Sequence, residues 1–303
     1  MRILRVIQFP VWLILLSSLD LFILAAGDPL PIWPGMAPGE TTRKQGTLQP
    51  FRPNELPPVT RVTNITEPTM TVHLAKKGNG AAALILPGGG FAKVVTNKEG
   101  TEIAAWLNKL GISVFVLSYR TRTGTDRNGW LKPLQDAQRA MALIRSNAQK
   151  WKIDSKRLGL IGFSAGGHVA TRLLCDQGKT SYKPIDAVDQ IGHRPAFAIL
   201  IYPWNIYDKK SENLVDQMKL PEDCPPVFLV HTDDDRSTAL GPVFIYSHLK
   251  RRGISSELHI YGNGGHGYGM RNIPGSKIST WPDHATNWLQ ARGLAEAMES
   301  AKQ

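Results

Sequence analysis

Cysteine is scarce. Two residues of this type, Cys175 and Cys224, stand in a chain of 303, so one disulfide is the most it can form, and whether the two pair in an oxidising compartment stays open at this level. Cys175 reads equally well as a small buried apolar residue. Internal repeats and low-complexity tracts are absent, which excludes a solenoid or a fibrous chain. Acidic residues are outnumbered 25 to 36 by lysine and arginine, for a net charge of +11. The basic residues are scattered, as in Lys76-Lys77, Lys209-Lys210 and Lys250-Arg251-Arg252. A solvated surface explains them, an acidic polysaccharide or anionic envelope is an alternative, and nucleic acid is not expected because no aromatic-basic module accompanies them. The apolar run from Val11 to Leu24 is broken by Ser17, Ser18 and Asp20 and closed by Ala25-Ala26-Gly27, with Arg2 and Arg5 ahead of it. That pattern fits a cleaved secretory leader over 1–27 better than a spanning helix, and it predicts a secreted or periplasmic protein without stable membrane insertion. No cysteine follows the small residues, so a lipid anchor is not expected. Removing two arginines and one aspartate with the leader would leave a charge of +10.

What remains is 42% hydrophobic, ordinary for a globular chain and long enough for one large α/β domain. Residues 28–58 are rich in proline and glycine and read as an extended arm lying on a domain of residues 59–303. Within that domain β-rich or continuous apolar runs occur at Val59 to Ile65, Thr69 to Leu74, Ala81 to Leu86, Ile112 to Leu117, Leu158 to Phe163, Ala196 to Ile201, Pro226 to His231 and Glu257 to Tyr261. Helical periodicity covers Glu99 to Leu110, Leu131 to Trp151, the segment after Ser164, Leu240 to Arg252 and Trp281 to Ala291. Strands alternating with helices predict a mostly parallel central sheet with helices on both faces, in a single domain.

One strand runs without pause into a helix through Gly162-Phe163-Ser164-Ala165-Gly166. This is the pattern of a nucleophile elbow, a turn too tight for a side chain two positions either side of the serine. It would present the Ser164 hydroxyl at the carboxyl edge of the sheet and the Ala165 amide at a helix N-terminus, where negative charge is favoured. Pro87-Gly88-Gly89-Gly90-Phe91 follows another buried strand, and three glycines allow backbone amides of Gly88, Gly89 and Gly90 to approach and point at a ligand. A serine hydroxyl needs a base within hydrogen-bond reach and a third group to orient the base. His266, set among glycines after Glu257 to Tyr261, is the expected base, ahead of His231 and His168. The acid comes from Asp233-Asp234-Asp235; Asp235 is favoured, Asp234 is second, and the others suit the cap of the following helix. Trp204, Tyr207 and Tyr268 lie in loops at the same edge, where an aromatic face could stack on a sugar ring or simply pack; Trp204 and Tyr268 are the expected substrate contacts. No metal and no cofactor is called for.

These segments, with Leu30-Pro31-Ile32-Trp33-Pro34-Gly35, Asp136-Ala137-Gln138-Arg139-Ala140, His231-Thr232-Asp233-Asp234-Asp235 and Gly264-Gly265-His266-Gly267, resemble α/β-hydrolase-fold carbohydrate esterases of the acetylxylan esterase and feruloyl esterase kind. The resemblance spans nearly all of the chain after the leader. It implies an α/β-hydrolase fold and hydrolysis of a small-molecule or polysaccharide ester, most simply a short acyl group such as acetyl on a carbohydrate. It also implies an acid four residues after the strand-end histidine, which is Asp235. The chain departs from the family pattern in carrying Thr232 where glycine or alanine is frequent, and in lacking a valine-proline pair after Asp235. A peptidase of the prolyl-oligopeptidase type uses the same three residue types but carries a large extra domain, for which this chain is short. A silent carbohydrate-binding or envelope protein on the same fold is the alternative outside enzymes.

Overall fold

The computed structural model describes residues 29–122, 128–216 and 218–296. The expected leader lies outside them. In chain order the strands are β1 (Leu30–Pro31), β2 (Thr47–Leu48), β3 (Arg61–Thr63), β4 (Thr69–His73), β5 (Ala82–Leu86), β6 (Val94–Val95), β7 (Ser113–Ser118), β8 (Leu158–Phe163), β9 (Ala198–Ile201), β10 (Tyr207–Asp208), β11 (Asn213–Leu214), β12 (Val227–Thr232) and β13 (Ser256–Tyr261). The helices are α1 (Glu102–Lys109), α2 (Leu131–Ser146), α3 (Ala165–Cys175), α4 (Leu240–Arg251) and α5 (Trp281–Gln290).

Eight strands form one sheet in the order β1-β4-β7-β5-β8-β9-β12-β13. From β7 to β13 every neighbouring pair is parallel, while β4 and β1 add on antiparallel at one edge. The continuous apolar runs sit in the middle because a strand covered on both faces needs apolar side chains on both. Along β5 the side chains alternate: Ala82, Leu84 and Leu86 join a core with Leu134, Ala137, Val169 and Ile245 of α2, α3 and α4. Ala83 and Ile85 join a second core with Ile103 of α1 and Trp281 and Ala285 of α5. Helices on both faces of a mostly parallel sheet are the expected architecture. β8, fully buried, occupies the centre.

Two boundaries differ from the expectation. The segment expected as a helix from Glu99 opens instead as a single π-helical turn, Asn97–Thr101, before α1 begins. The helix expected to reach Trp151 ends at Ser146, because Asn147 leaves the helical region and turns its side-chain amide onto the Leu143 carbonyl. The proline-rich stretch is bolted to the domain: the Trp33 indole donates to Asp136 Oδ1 at 2.9 Å, and Arg139 Nε donates to the Ile32 carbonyl at 3.0 Å. Asp136 also accepts from Arg120, and both partners of that ion pair are fully buried.

Candidate active site

The expected nucleophile, acid, base and glycine loop each fall beyond the carboxyl end of a parallel strand, the edge at which open α/β sheets bind ligands. Gly88 follows β5, Ser164 follows β8, Asp235 follows β12 and His266 follows β13. Ser164 has φ +52° and ψ −118°, a backbone conformation that L-residues seldom adopt and that tight strand-to-helix turns require. Its amide donates to the Ile201 carbonyl and its own carbonyl accepts from Trp204, which pins the elbow to the next strand. Gly166 shows why small residues flank it. A Cβ there would lie 2.0 Å from the Leu86 carbonyl oxygen.

Ser164 Oγ lies 2.7 Å from His266 Nε2, and His266 Nδ1 lies 2.5 Å from Asp235 Oδ2. The structure thus brings together the three residues expected from the sequence, and among the three aspartates Asp235 faces the imidazole. Its side chain is buried and its Oδ1 accepts the Ser237 amide at 2.8 Å, which fixes the carboxylate plane. Asp234 has a different task. Its two oxygens accept the amides of Gly264 and Gly265 at 3.1 and 2.9 Å, while Thr232 Oγ1 donates to the Gly265 carbonyl at 2.7 Å. The glycine loop carrying His266 is therefore held on both sides of its backbone. Hydrogen bonds to the Gly265 and Gly264 amides hold the Asp234 carboxyl below its usual range.

His231 and His168 do not reach the serine oxygen in this arrangement. His231 is fully buried behind the acid, with Nε2 3.7 Å from Asp235 Oδ2, and burial pushes its pKa down. His168 is packed within α3, Nδ1 against the Trp204 carbonyl at 3.0 Å and Nε2 accepting from Arg172 at 2.9 Å. Burial, with the Arg172 charge adding to it, lowers its pKa to about 4.

Opposite the serine, the glycine loop needs one correction. The Gly88 amide is not open to a ligand, because it donates to the Glu99 carboxyl at 2.6 Å. Among the described residues the Gly89 and Gly90 amides have no acceptor. Ala165 is the first residue of α3, whose amide has no intrahelical partner. The Gly89, Gly90 and Ala165 amides therefore remain as open donors. Tyr268 needs a second correction: its ring is only 2% exposed and packs edge-on against Tyr202 at 4.4 Å, so it cannot stack on a sugar. Trp204 keeps its place. With Asn205, Asp234, Asp235, Arg236, Ser237, Gly265 and His266 it lines a cavity of about 450 Å³. A second cavity of the same volume, about 450 Å³, is lined by Leu214, Met218, Phe244 and His248 and by none of the three catalytic candidates.

Two residues of the site had no motif to announce them. Glu99, in the π-helical turn, is buried with Oε1 accepting the Tyr202 hydroxyl at 2.9 Å. Burial raises its pKa, while the Gly88 amide, the Tyr202 hydroxyl and the charges of Lys98 and His266 act in the other direction. Tyr202 itself sits at φ +39° and its ring lies 4.9 Å from that of His266. Cys175 and Cys224 are both free and buried, and burial pushes each thiol up to about 12. Among the described residues no group of His, Cys, Asp and Glu could hold a metal ion, and no helix is long and apolar enough to cross a membrane.

The sheet order, the elbow and the strand-end loops define an α/β hydrolase. Residues 70–189 match the BD-FAE family model. The chain is 30% identical over 248 residues to an acetylxylan esterase of Xylanibacter ruminicola, covering 74% of this chain and 47% of that protein. It is 28% identical over 208 residues to endo-1,4-beta-xylanase B of Butyrivibrio fibrisolvens, covering 62% of this chain and 32% of that protein. The chain thus spans less than half the length of these curated relatives. Among solved structures it is similar to an acetyl ester-xyloside bifunctional hydrolase of Caldicellulosiruptor lactoaceticus, with a TM-score of 0.71 and 27% identity over 91% of this chain and all of the other.

Proposed function

We propose that this protein is a secreted serine carboxylesterase that removes short acyl groups, acetyl foremost, from a carbohydrate. The observation that carries the reading is the unbroken hydrogen-bonded run from Ser164 through His266 to Asp235. In this mechanism His266 Nε2 accepts the hydroxyl proton as Ser164 Oγ bonds to the ester carbonyl carbon, and the amides of Gly89, Gly90 and Ala165 hold the resulting oxyanion. Collapse breaks the bond to the sugar oxygen, which leaves with the proton from His266. Water then attacks the acyl-serine by the same route and releases the acid. Asp235 stabilises the imidazolium that forms in each half.

The relatives named for acetyl ester and acetylxylan chemistry support a short acyl group and a carbohydrate alcohol. The cavity beside His266 also carries the side chains of Asn205 and Arg236, which can hydrogen-bond to sugar hydroxyls. Trp204 is the aromatic face offered to that sugar. Export is supported by Arg2 and Arg5 ahead of the interrupted apolar run and by Ala25-Ala26-Gly27.

The test is hydrolysis of acetyl, butyryl and octanoyl nitrophenyl esters and release of acetate from acetylated xylan by the purified protein and by Ser164→Ala. We expect the acetyl ester to be preferred, acetate to be released, and the variant to be folded and inactive. A rate that climbs with acyl length, with no acetate from the polymer, would indicate a lipase-like enzyme; a variant retaining most of the rate would remove the mechanism. For export, the expected result is a mature N-terminus near Ala26 or Gly27 after expression in a secretion-competent host, read by mass spectrometry.

A further inference from the structure

We propose that Glu99 is a positioning residue for this hydrolysis, a buried strut that ties the glycine loop to the histidine loop through Tyr202. The inference rests on the ester-hydrolase reading given above. Glu99 Oε2 accepts the Gly88 amide at 2.6 Å, and Gly88 immediately precedes Gly89, the first open donor of the loop. A Cβ on Gly88 would lie 2.6 Å from that same oxygen and 2.7 Å from the Ser164 Cβ, so the loop is wedged between the carboxyl and the nucleophile. Glu99 Oε1 accepts the Tyr202 hydroxyl at 2.9 Å, and that hydroxyl accepts the Gly269 amide at 3.0 Å, three residues beyond His266. One side chain thus links the backbone beside the oxyanion donors to the backbone beside the base.

The surroundings agree with this assignment. A carboxyl with no exposure to speak of is expensive to desolvate, and a leucine or methionine of similar size would avoid that cost. What an apolar side chain cannot do is accept the Gly88 and Tyr202 donors at once. Two uncommon backbone features lie at the two ends of the link, the π-helical turn that delivers Glu99 and the positive φ at Tyr202. Such features concentrate at functional sites. An oxyanion donor is effective only if its amide is already aimed where charge will develop, so fixing Gly88 fixes the aim of Gly89 and Gly90.

The experiment uses the full chain with nitrophenyl acetate as substrate and compares wild type with Glu99→Gln, Tyr202→Phe and the double variant. Active sites are titrated to completion with an organophosphate nitrophenyl ester, so that kcat is expressed per competent serine and not per milligram. A glutamine has one acceptor oxygen and leaves either Gly88 or Tyr202 without its acceptor. We expect kcat per site to fall by about 10- to 100-fold in Glu99→Gln, with KM within about threefold, because the lost interaction acts on the transition state. Tyr202→Phe should show the same split in smaller measure and serves if Glu99→Gln does not fold. The double variant should be no more than about threefold worse than the poorer single one, since residues acting as a unit are not additive. An unchanged kcat per site, with loss only in melting temperature or in the number of titratable sites, overturns the inference. So does a rise in KM alone, or effects that multiply. Ser164→Ala, assayed alongside, separates the two levels: wild-type turnover in that variant would overturn the hydrolase reading itself.

Discussion

Replacing Asp235 by asparagine should be far more damaging than replacing its neighbour Asp234, and the geometry says why. The two Asp235 oxygens have different partners: Oδ1 accepts the Ser237 amide at 2.8 Å and Oδ2 meets His266 Nδ1 at 2.5 Å. In Asp235→Asn the Ser237 amide, a pure donor, selects the carbonyl oxygen of the new side chain. The NH₂ group then points at His266 Nδ1 and can only donate to it. The imidazole is forced into the tautomer with hydrogen on Nε2, which would donate to Ser164 Oγ and could not accept its proton. In triads of this kind such a tautomer switch lowers kcat by about 10⁴, roughly 5.5 kcal/mol of barrier at about 1.36 kcal/mol per decade. Asp234→Asn keeps one acceptor for the Gly264 and Gly265 amides and leaves the imidazole proton where it was, so its cost should stay within about tenfold, typical of a lost positioning contact. Steady-state kinetics on nitrophenyl acetate, with thermal unfolding as the control for folding, measures both. Asp235→Asn activity within tenfold of wild type, or a larger loss in Asp234→Asn, would refute the tautomer argument and the choice of acid together.

Stability should fall with acidity through His168, whose pKa burial lowers from 6.5 to about 4. Between those values the unfolded chain holds the proton and the folded one does not, so this contribution is present above pH 6.5, is lost as pH falls toward 4, and amounts to on the order of 3 kcal/mol; urea unfolding across this range should show a shallower slope in His168→Gln, and an equal slope would exclude the assignment. Asp136→Asn should cost about 3–5 kcal/mol in the same assay, because it leaves the fully buried Arg120 guanidinium with only Glu40, at 3.7 Å, as a carboxylate partner. Gly166→Ala should give an unstable and inactive protein, losing about 3 kcal/mol or more, since its methyl would lie 2.0 Å from the Leu86 oxygen in a turn that cannot relax; a stable, active variant would mean that the elbow is looser than this geometry.

The central strands were legible because burial on both faces leaves an apolar signature that sequence displays directly, as in Ala82–Leu86 and Leu158–Phe163. Ser164, Asp235 and His266 could be placed together for a related reason: each follows a strand of the sheet, two of them buried on both faces and the third, β13, at the edge, and these strand ends meet at one sheet edge. The antiparallel pairing of β4 with β7 was not legible, nor were the two-residue ladders β2–β3, β3–β6 and β10–β11, because pairing partners lie outside any local window. Tyr268 misled for the opposite reason. An aromatic in a glycine loop at the correct edge looks available, yet the chain folds the ring inward against Tyr202, and no spacing rule distinguishes the two directions. Glu99 was invisible because its partners are a backbone amide eleven residues on one side and a hydroxyl far along the chain, groups that leave no mark in a motif.

Thr232 carries the same lesson into the family comparison. Its place in the pattern is one where glycine or alanine is frequent, so on sequence alone it weakens the choice of acid. In the folded protein its hydroxyl donates to the Gly265 carbonyl at 2.7 Å, on the residue just before His266, while Asp234 takes the amides of Gly264 and Gly265. The loop that carries the base has positive φ at Gly264, Gly265, Gly267 and Gly269, a run that leaves its backbone with much freedom to lose on ordering. A threonine at this point supplies a hydrogen bond that a glycine or alanine could not, and it supplies it from the end of β12, the rigid element that also leads into Asp235. Asp235 and His266 are thereby referenced to one strand, and the departure from the pattern strengthens the geometry that it seemed to put in doubt.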